Sequence, residues 1–505
     1  MQYIIAHDLG TSGNKATLYD ERGALVAAST FEYPTYIGTA GVVEQDANSW
    51  WNAVIQSTRA LLSAANVRNS DIACVSFSGQ MMGCLPVDRQ GIPLRPAIIW
   101  ADMRSEKQAD QLRASVPERE FYRIVWHRPI SSYTLTKLMW VRDNEPDVYR
   151  KTYKTLHAKD FIVQKLTGKF ATDYSDASGT NAFDLVGKKW SERILNAVGI
   201  DPALFPDPYP STTVIGTVSA EAARLTGLVE GTPVVLGGGD GSCAIVGAGI
   251  FGAQKAYAIL GSSSWVAFET EAPLDDEQMR YITWAHLDGN KYQPCGTMQA
   301  AGLSISWMKQ NLAGYETYAE KELGGNALDL IEEGARKSPA GSNNLLYLPY
   351  LLGERSPRWD PSAKGCFIGL TSKHSKEDVF RSVYEGIAYN LKTIIEAFEL
   401  KTHLREITLI GGGARSELWR QILADVWEKP ILVPRYLEEA TSMGAAIAGG
   451  VGVGLFKDFS IGARLNPTVL RLEPNASAAQ SYRKLYPLFE ASYANLKDIF
   501  RKLGE

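Results

Sequence analysis

The sequence predicts an α/β protein built from two related domains. Three observations carry that prediction. Strand and helix signals alternate along the chain, the pattern of sheets covered by helices. The chain has 505 residues, well beyond the roughly 250–300 at which a single core stops growing, so two or three domains are expected. One local pattern also occurs twice: a short apolar strand, a small hydroxyl-rich turn and a second strand. Its first copy runs from a strand at 3–6 through Asp8 and the turn Gly10-Thr11-Ser12-Gly13 to a strand at 16–19. Its second copy occupies 256–268, with Gly261-Ser262-Ser263-Ser264 as the turn. Two unrelated hairpins would each look like this, but one per half suggests a duplicated unit facing a shared cleft.

The remaining elements follow in order. Asp46 caps a helix opened by Ser49, Trp50 and Trp51, with Trp50, Val54 and Leu61 at helical spacing. Residues 72–77 read as a strand, Ser78-Gly79-Gln80-Met81-Met82-Gly83 as a loop and 84–87 as the next strand. The Pro-rich stretch 201–210 is a surface connection. A buried strand at 234–236 enters Gly237-Gly238-Gly239-Asp240-Gly241, and the domain junction is placed there, giving domains 1–245 and 246–505. A strand at 407–410 enters Gly411-Gly412-Gly413. The longest uncharged stretch, 440–456, is too short and Gly-rich for a membrane span and reads as an interior helix ending at Gly449-Gly450. At 477–503, Tyr482, Leu485, Tyr486, Phe489, Tyr493, Leu496 and Phe500 form a helical stripe, kinked at Pro487 and a candidate to pack back on the first domain.

Composition excludes several classes. Apolar content of 45% and charged content of 21% suit a soluble globular protein. A formal net charge of −4 gives no reason to expect nucleic acid or an anionic membrane as partner. Five cysteines, Cys74, Cys84, Cys243, Cys295 and Cys366, are scattered and never form a Cys-x-x-Cys pair. That argues against a disulfide framework or zinc site and fits a reducing cytoplasm. The N-terminal apolar run meets Asp8 too early for a signal peptide. A homodimer is left open.

The chemistry-bearing residues sit at the strand ends. An acid beside a Gly-rich, hydroxyl-rich hairpin suits the phosphates of a nucleotide and their Mg²⁺: glycines let backbone N–H groups approach, hydroxyls donate, and Asp8 holds the hard cation. The same residues also make an ordinary hairpin turn. Asp240, after a strand and three glycines, could face a cleft and accept the proton of an attacking hydroxyl in phosphoryl transfer. It could also cap the following helix, and the two roles are compatible. No Walker Gly-x-x-x-x-Gly-Lys-Ser/Thr is present, so another phosphate cradle is required. Gly411-x-Gly413 lacks the third glycine of a dinucleotide fingerprint, Ser416 standing there, which counts against an NAD-dependent dehydrogenase.

Several ordered segments resemble the FGGY carbohydrate kinases, and within them the xylulokinases. Asp8-Leu9-Gly10-Thr11-Ser12-Gly13 resembles their first phosphate hairpin, and the run 132–144 their first signature. Gly365 to Leu370 with Asp378, Ser382 and Glu385 resembles the second signature. Gly237 to Asp240, the segment ending at Glu354 and Arg355, and Leu409 to Ser416 are similar to further family segments. The resemblance implies two ribonuclease-H-like domains of the actin/Hsp70/sugar-kinase superfamily, with ATP and a sugar or polyol meeting in the interdomain cleft. It implies that Asp8, with Asp240, serves Mg²⁺, that Thr11, Ser12, Asn14 and Ser262 attend the phosphates, and that Gly302, Gly412, Gly413 and Ala414 lie along ATP. Asp240 becomes the general base. Gln80, Met81, Met82, Asp102, Ser132 and Gly241 fall on the sugar side, where Asp102 and Arg104 could equally form a structural ion pair.

The sugar pocket departs from the family pattern. Xylulokinases usually carry a histidine where Met82 stands, and commonly a polar residue where Gly241 stands. Both changes remove hydrogen-bonding groups, which shifts selection among hydroxylated substrates. Met82 could instead be loop packing. A chaperone-like ATPase and a non-catalytic sugar sensor of the same superfamily are the alternatives; the two signatures and intact Asp8 and Asp240 speak against them.

Overall fold

The computed structural model describes residues 1–39, 41–252 and 254–504. The chain forms two principal sheets of seven strands each. In the first, the order is Val214–Thr217, Pro233–Val235, Ile72–Gly79, Tyr3–Leu9, Gly13–Asp20, Leu25–Glu32, and the short Gly238–Gly239 also pairs with Ile72–Gly79. In the second it is Ile282–Ala285, Tyr292–Met298, Ser264–Phe268, Lys255–Leu260, Glu406–Ile410, Ile431–Pro434, Thr468–Leu472. Each sheet contains a block of antiparallel strands, three in the first and four in the second, then two parallel additions and an antiparallel edge. The repeat signalled by the two hairpins is therefore a repeat of a whole sheet. The parallel additions require long crossovers, and these are where the helices lie.

Strand alternation sets what each hairpin residue faces. Along Tyr3–Leu9, His7 points into the first core, 3.1 Å from the Asn14 amide and 3.3 Å from Thr58 Oγ1. Burial lowers its pKa to about 4, so it is neutral. Asp8 points the other way. Helix Ala47–Ala65 is capped as expected, Asp46 accepting the Asn48 N–H at 2.9 Å.

Two helices join the halves. Asp240–Gly247 and Ala440–Gly452 cross so closely that a Cβ on Gly247 would lie 1.7 Å from the Ala440 carbonyl oxygen, and one on Gly444 1.9 Å from that of Cys243. The second of these helices, although late in sequence, packs on the first sheet: a Cβ on Gly449 would reach Ser76, Cys74 and Ile4. It is the interior helix expected from the uncharged stretch and continues past Gly449-Gly450 to Gly452. No helix among the described residues is long and apolar enough to cross a membrane.

The junction expected at 245/246 falls in the last turn of helix Asp240–Gly247, whose first residue is the candidate base; the chain leaves that helix before entering strand Lys255–Leu260. One expectation about organisation is corrected. The final helix, Ala476–Lys502, runs unbroken through Pro487 and packs on the second core rather than the first domain. Tyr482 donates to Glu385 at 2.8 Å and Glu490 pairs with Arg358 at 2.7 Å, both partners belonging to the second half.

Candidate active site

Asp8 and Asp240 flank the same strand end. Asp8 lies beside Ser78 and Gly239 beside Gly79, on either side of Ile72–Gly79. Ser78 Oγ donates to Asp8 at 2.9 Å, and the Gly241 N–H donates to Asp240 at 2.7 Å. Burial, then the charge of Asp8, push the Asp240 carboxyl up to about 7; Asp176 acts in the same direction and the Gly241 N–H against it. Burial also raises Asp8. Two acids held above their ordinary range, one by the other's charge, are a donor set suited to a hard cation.

A cavity of about 220 Å³ opens beside Asp240, with walls from both domains. Thr11, Met81, Met82 and Tyr133 line it from the first; Ser263, Trp284, Gln293 and Arg355 from the second. Tyr133 is fixed by a 2.7 Å hydrogen bond between its hydroxyl and His127 Nδ1, and His127 packs on Trp284 at 4.3 Å between ring centroids. Gln293 donates to the Gly241 carbonyl at 3.1 Å, while its Oε1 has no partner among the described residues. Arg355 is the only cationic side chain lining the cavity among the described residues. The carboxylate of its neighbour Glu354 is engaged elsewhere, by the N–H groups of Gln299 and Arg355 and by Asn390.

The predicted sugar-side residues divide. Met81, Met82, Asp240 and Gly241 line the cavity. Met82 has φ 64°, and Lys137 Nζ donates to its carbonyl at 2.8 Å and to that of Ser132 at 2.5 Å. Ser132 thus stands behind the wall, its hydroxyl turned toward Met103 Sδ. Gln80 is buried against Gln45, to which it donates at 2.8 Å. Asp102 takes the ion-pair alternative and not the sugar-side one: fully buried, it pairs with Arg104 at 2.7 Å and accepts the Val43 N–H at 2.6 Å.

The segments expected to lie along a nucleotide converge at the end of strand Lys255–Leu260. A Cβ on Gly302 would lie 2.5 Å from the Gly261 carbonyl oxygen, and one on Gly413 2.9 Å from Leu260 Cβ. The Ser262 carbonyl accepts the N–H groups of Ala301 and Leu303, each at 3.0 Å, leaving the Ser262 side chain exposed. Gly412 is exposed beside Gly413. In the facing hairpin, Ser12 is exposed, and Trp100 Nε1 donates to Thr11 Oγ1 at 2.9 Å. One expectation fails. Asn14 has no exposure and its amide nitrogen is held by His7 and Ser57, so it does not reach the cleft. Ala414 has its side chain in the second core, which leaves its backbone as the part that could lie along a nucleotide.

Comparison with known proteins accords with this geometry. Residues 3–247 match the FGGY family of carbohydrate kinases, N-terminal domain, and residues 256–453 its C-terminal domain. The chain belongs to the FGGY family of carbohydrate kinases. It is 32% identical over 501 residues to the xylulose kinase of Bacillus subtilis (strain 168), covering 99% of this chain and 98% of that one. It is 30% identical over 510 residues to the gluconokinase of the same strain, covering 99% of each. Ligand-bound xylulose kinase from Lactobacillus acidophilus superposes with a TM-score of 0.92 at 27% identity, with full coverage of both chains. The kinase therefore has the two-domain fold of its family and is an ATP-dependent phosphotransferase, not a chaperone-like ATPase. Sequence reasoning missed the cavity roles of Gln293, Trp284 and Arg355. Gln293 and Trp284 lie on strands with no motif, and Arg355 was read only as part of a similar segment.

Proposed function

We propose that this kinase transfers the γ-phosphate of ATP to a hydroxyl of a pentulose or related sugar or polyol held in the cavity, with Asp240 as general base. The observation that carries this is Asp240 itself, lining the cavity between the Met81–Met82 loop and the Ser263 turn. Its carboxylate would orient the attacking hydroxyl and take its proton, and a pKa of about 7 matches that task. The hydroxyls of Thr11, Ser12 and Ser262 and the glycine N–H groups around them would hold the phosphates. Asp8 and Asp240 are the residues that would hold Mg²⁺, whose charge offsets that on the phosphoryl oxygens. Arg355 and the free Gln293 oxygen are placed to meet substrate oxygens. We place the reaction in the cytoplasm, in keeping with five cysteines of which none is paired.

Relatives named xylulose kinase and gluconokinase put D-xylulose and gluconate on any substrate panel. Met82 and Gly241 argue for a different preference. A Cβ on Gly241 would meet nothing nearer than Gln293 Nε2 at 3.8 Å, so the room a polar side chain would fill is left to substrate or water. A hydroxyl left unpaired against Met82 costs about 1–3 kcal/mol, roughly ten- to a hundred-fold in kcat/KM. Coupled ADP release with pentuloses, pentitols, tetritols, deoxy-sugars and gluconate tests this. Some sugar other than D-xylulose should lead, and Met82→His should move preference toward D-xylulose. D-xylulose leading the whole panel would refute the specificity reading, and sugar binding without turnover would favour a sensor.

A further inference from the structure

Behind Asp240 lies a group of charges sealed from solvent. Lys159 is fully buried, with Nζ 2.6 Å from Asp160, 2.9 Å from Asp173 and 3.3 Å from Asp176. His157 Nδ1 is 2.5 Å from Asp176 Oδ1, and its Nε2 is 2.8 Å from Thr134 Oγ1. His157, Asp160 and Asp176 by themselves have the proximity of metal ligands. The Lys159 ammonium already stands among the carboxylates, so the chain supplies its own cation. A buried ionic group is weak grounds for stability, since well-packed apolar residues of the same volume often serve as well. Its connections give it another use.

Each connection leads to a different wall of the cavity. Ser175 Oγ donates to Asp173 Oδ2 at 2.5 Å and accepts the Gly239 N–H at 3.0 Å; Gly239 immediately precedes Asp240. Gly79, which precedes the Gln80-Met81-Met82 loop, packs on Lys159, where a Cβ would lie 3.1 Å from Lys159 Cβ. Thr134, bonded to His157, follows Tyr133. Base, loop and aromatic wall come from segments far apart in sequence, and this cluster touches all three.

We infer that the His157–Lys159–Asp173–Asp176 cluster is a positioning device for phosphoryl transfer, acting on the base through the Asp173–Ser175–Gly239 relay. It rests on Asp240 being the general base, a reading that turnover of the unmodified kinase and of Asp240→Asn tests separately. Ser175 and Ser211 separate positioning from plain stability. Ser211 Oγ donates to the same Asp173 Oδ2, at 2.7 Å, but makes no bond to the Gly239–Asp240 segment. Ser175→Ala and Ser211→Ala, each in the full chain with the fastest sugar of the panel, should lose similar thermal stability. Ser175→Ala should lower kcat by about 10–100-fold with the KM values for sugar and ATP little changed, because a small misplacement of a reacting group is costly. Ser211→Ala should keep the parent kcat. Parent-like kcat in Ser175→Ala, an equal loss in both variants, or a loss confined to KM would overturn the inference. If Ser175→Ala does not fold, Asp173→Asn replaces it, and a folded Asp173→Asn with the parent kcat is likewise fatal.

Discussion

A carboxyl with a pKa of about 7 changes charge in the range where a metabolic kinase works. Asp240 is raised by burial and by Asp8, so its basic form dominates only above that value. The kcat/KM of the free enzyme should therefore rise with pH through about 7 and level off beyond it, an acidic limb read from initial rates across pH 5–9. The same shift is a stability statement. A folded pKa above the unfolded one gives stability that is complete below the unfolded carboxylate range and lost as pH rises through about 7. Without ligands, Asp240→Asn should thus gain in Tm over the parent at pH 8 and gain less at pH 5. A Tm difference independent of pH would argue that Asp240 is not held protonated. At this scale the sequence was legible where a residue ends a strand beside glycines, as at Thr11 and Asp240, which both line the cavity. It misled at Asn14 because motif position was weighed above alternation: Asn14 shares a strand face with Ala16 and Leu18, both in the first core. Asp102 was ambiguous in sequence because an acid two residues from an arginine pairs as readily as it binds.

Among elements, the crossing of Asp240–Gly247 with Ala440–Gly452 is the joint between the halves. Its glycines are there because backbones touch: at Gly247 and Gly444 a Cβ would collide with a carbonyl oxygen that cannot step aside. Gly444→Ala should destabilise by about 1–3 kcal/mol or more, the range for overpacking, measured by urea unfolding. Gly314→Ala, at a helix start with nothing within 4 Å of the added Cβ, should be neutral or stabilising by up to about 1 kcal/mol. Similar losses in both variants would contradict a crossing in which the two backbones touch at Gly444. The elements themselves were largely legible from apolar periodicity and caps, as with Asp46 before its helix. Their partners were not. The stripe of Ala476–Lys502 announces a buried face, but nothing in its spacing says that Glu385 and Arg358, rather than the first domain, receive it.

For the whole molecule, the duplicated sheet explains why one cleft is built from both domains. The first hairpin and the second approach it from opposite domains, and the cavity wall is shared between them. Phosphoryl transfer to a sugar rather than to water requires the cleft to close. The radius of gyration from small-angle scattering should fall when a turned-over sugar and a non-hydrolysable ATP analogue are present together; no change at saturation would contradict closure. The duplication could be read from two short turns, but the cavity could not. It joins Met82 and Asp240 to Trp284 and Arg355, residues whose separation along the chain leaves no local pattern to read. ADP release by the intact kinase and by Asp240→Asn, with and without the best sugar, tests whether Asp240 drives sugar-dependent phosphoryl transfer. The parent should turn over only with sugar, and Asp240→Asn should fall by roughly 10²–10⁴-fold with ATP affinity retained. Sugar-independent turnover in the parent, or near-parent turnover in folded Asp240→Asn, would contradict that role.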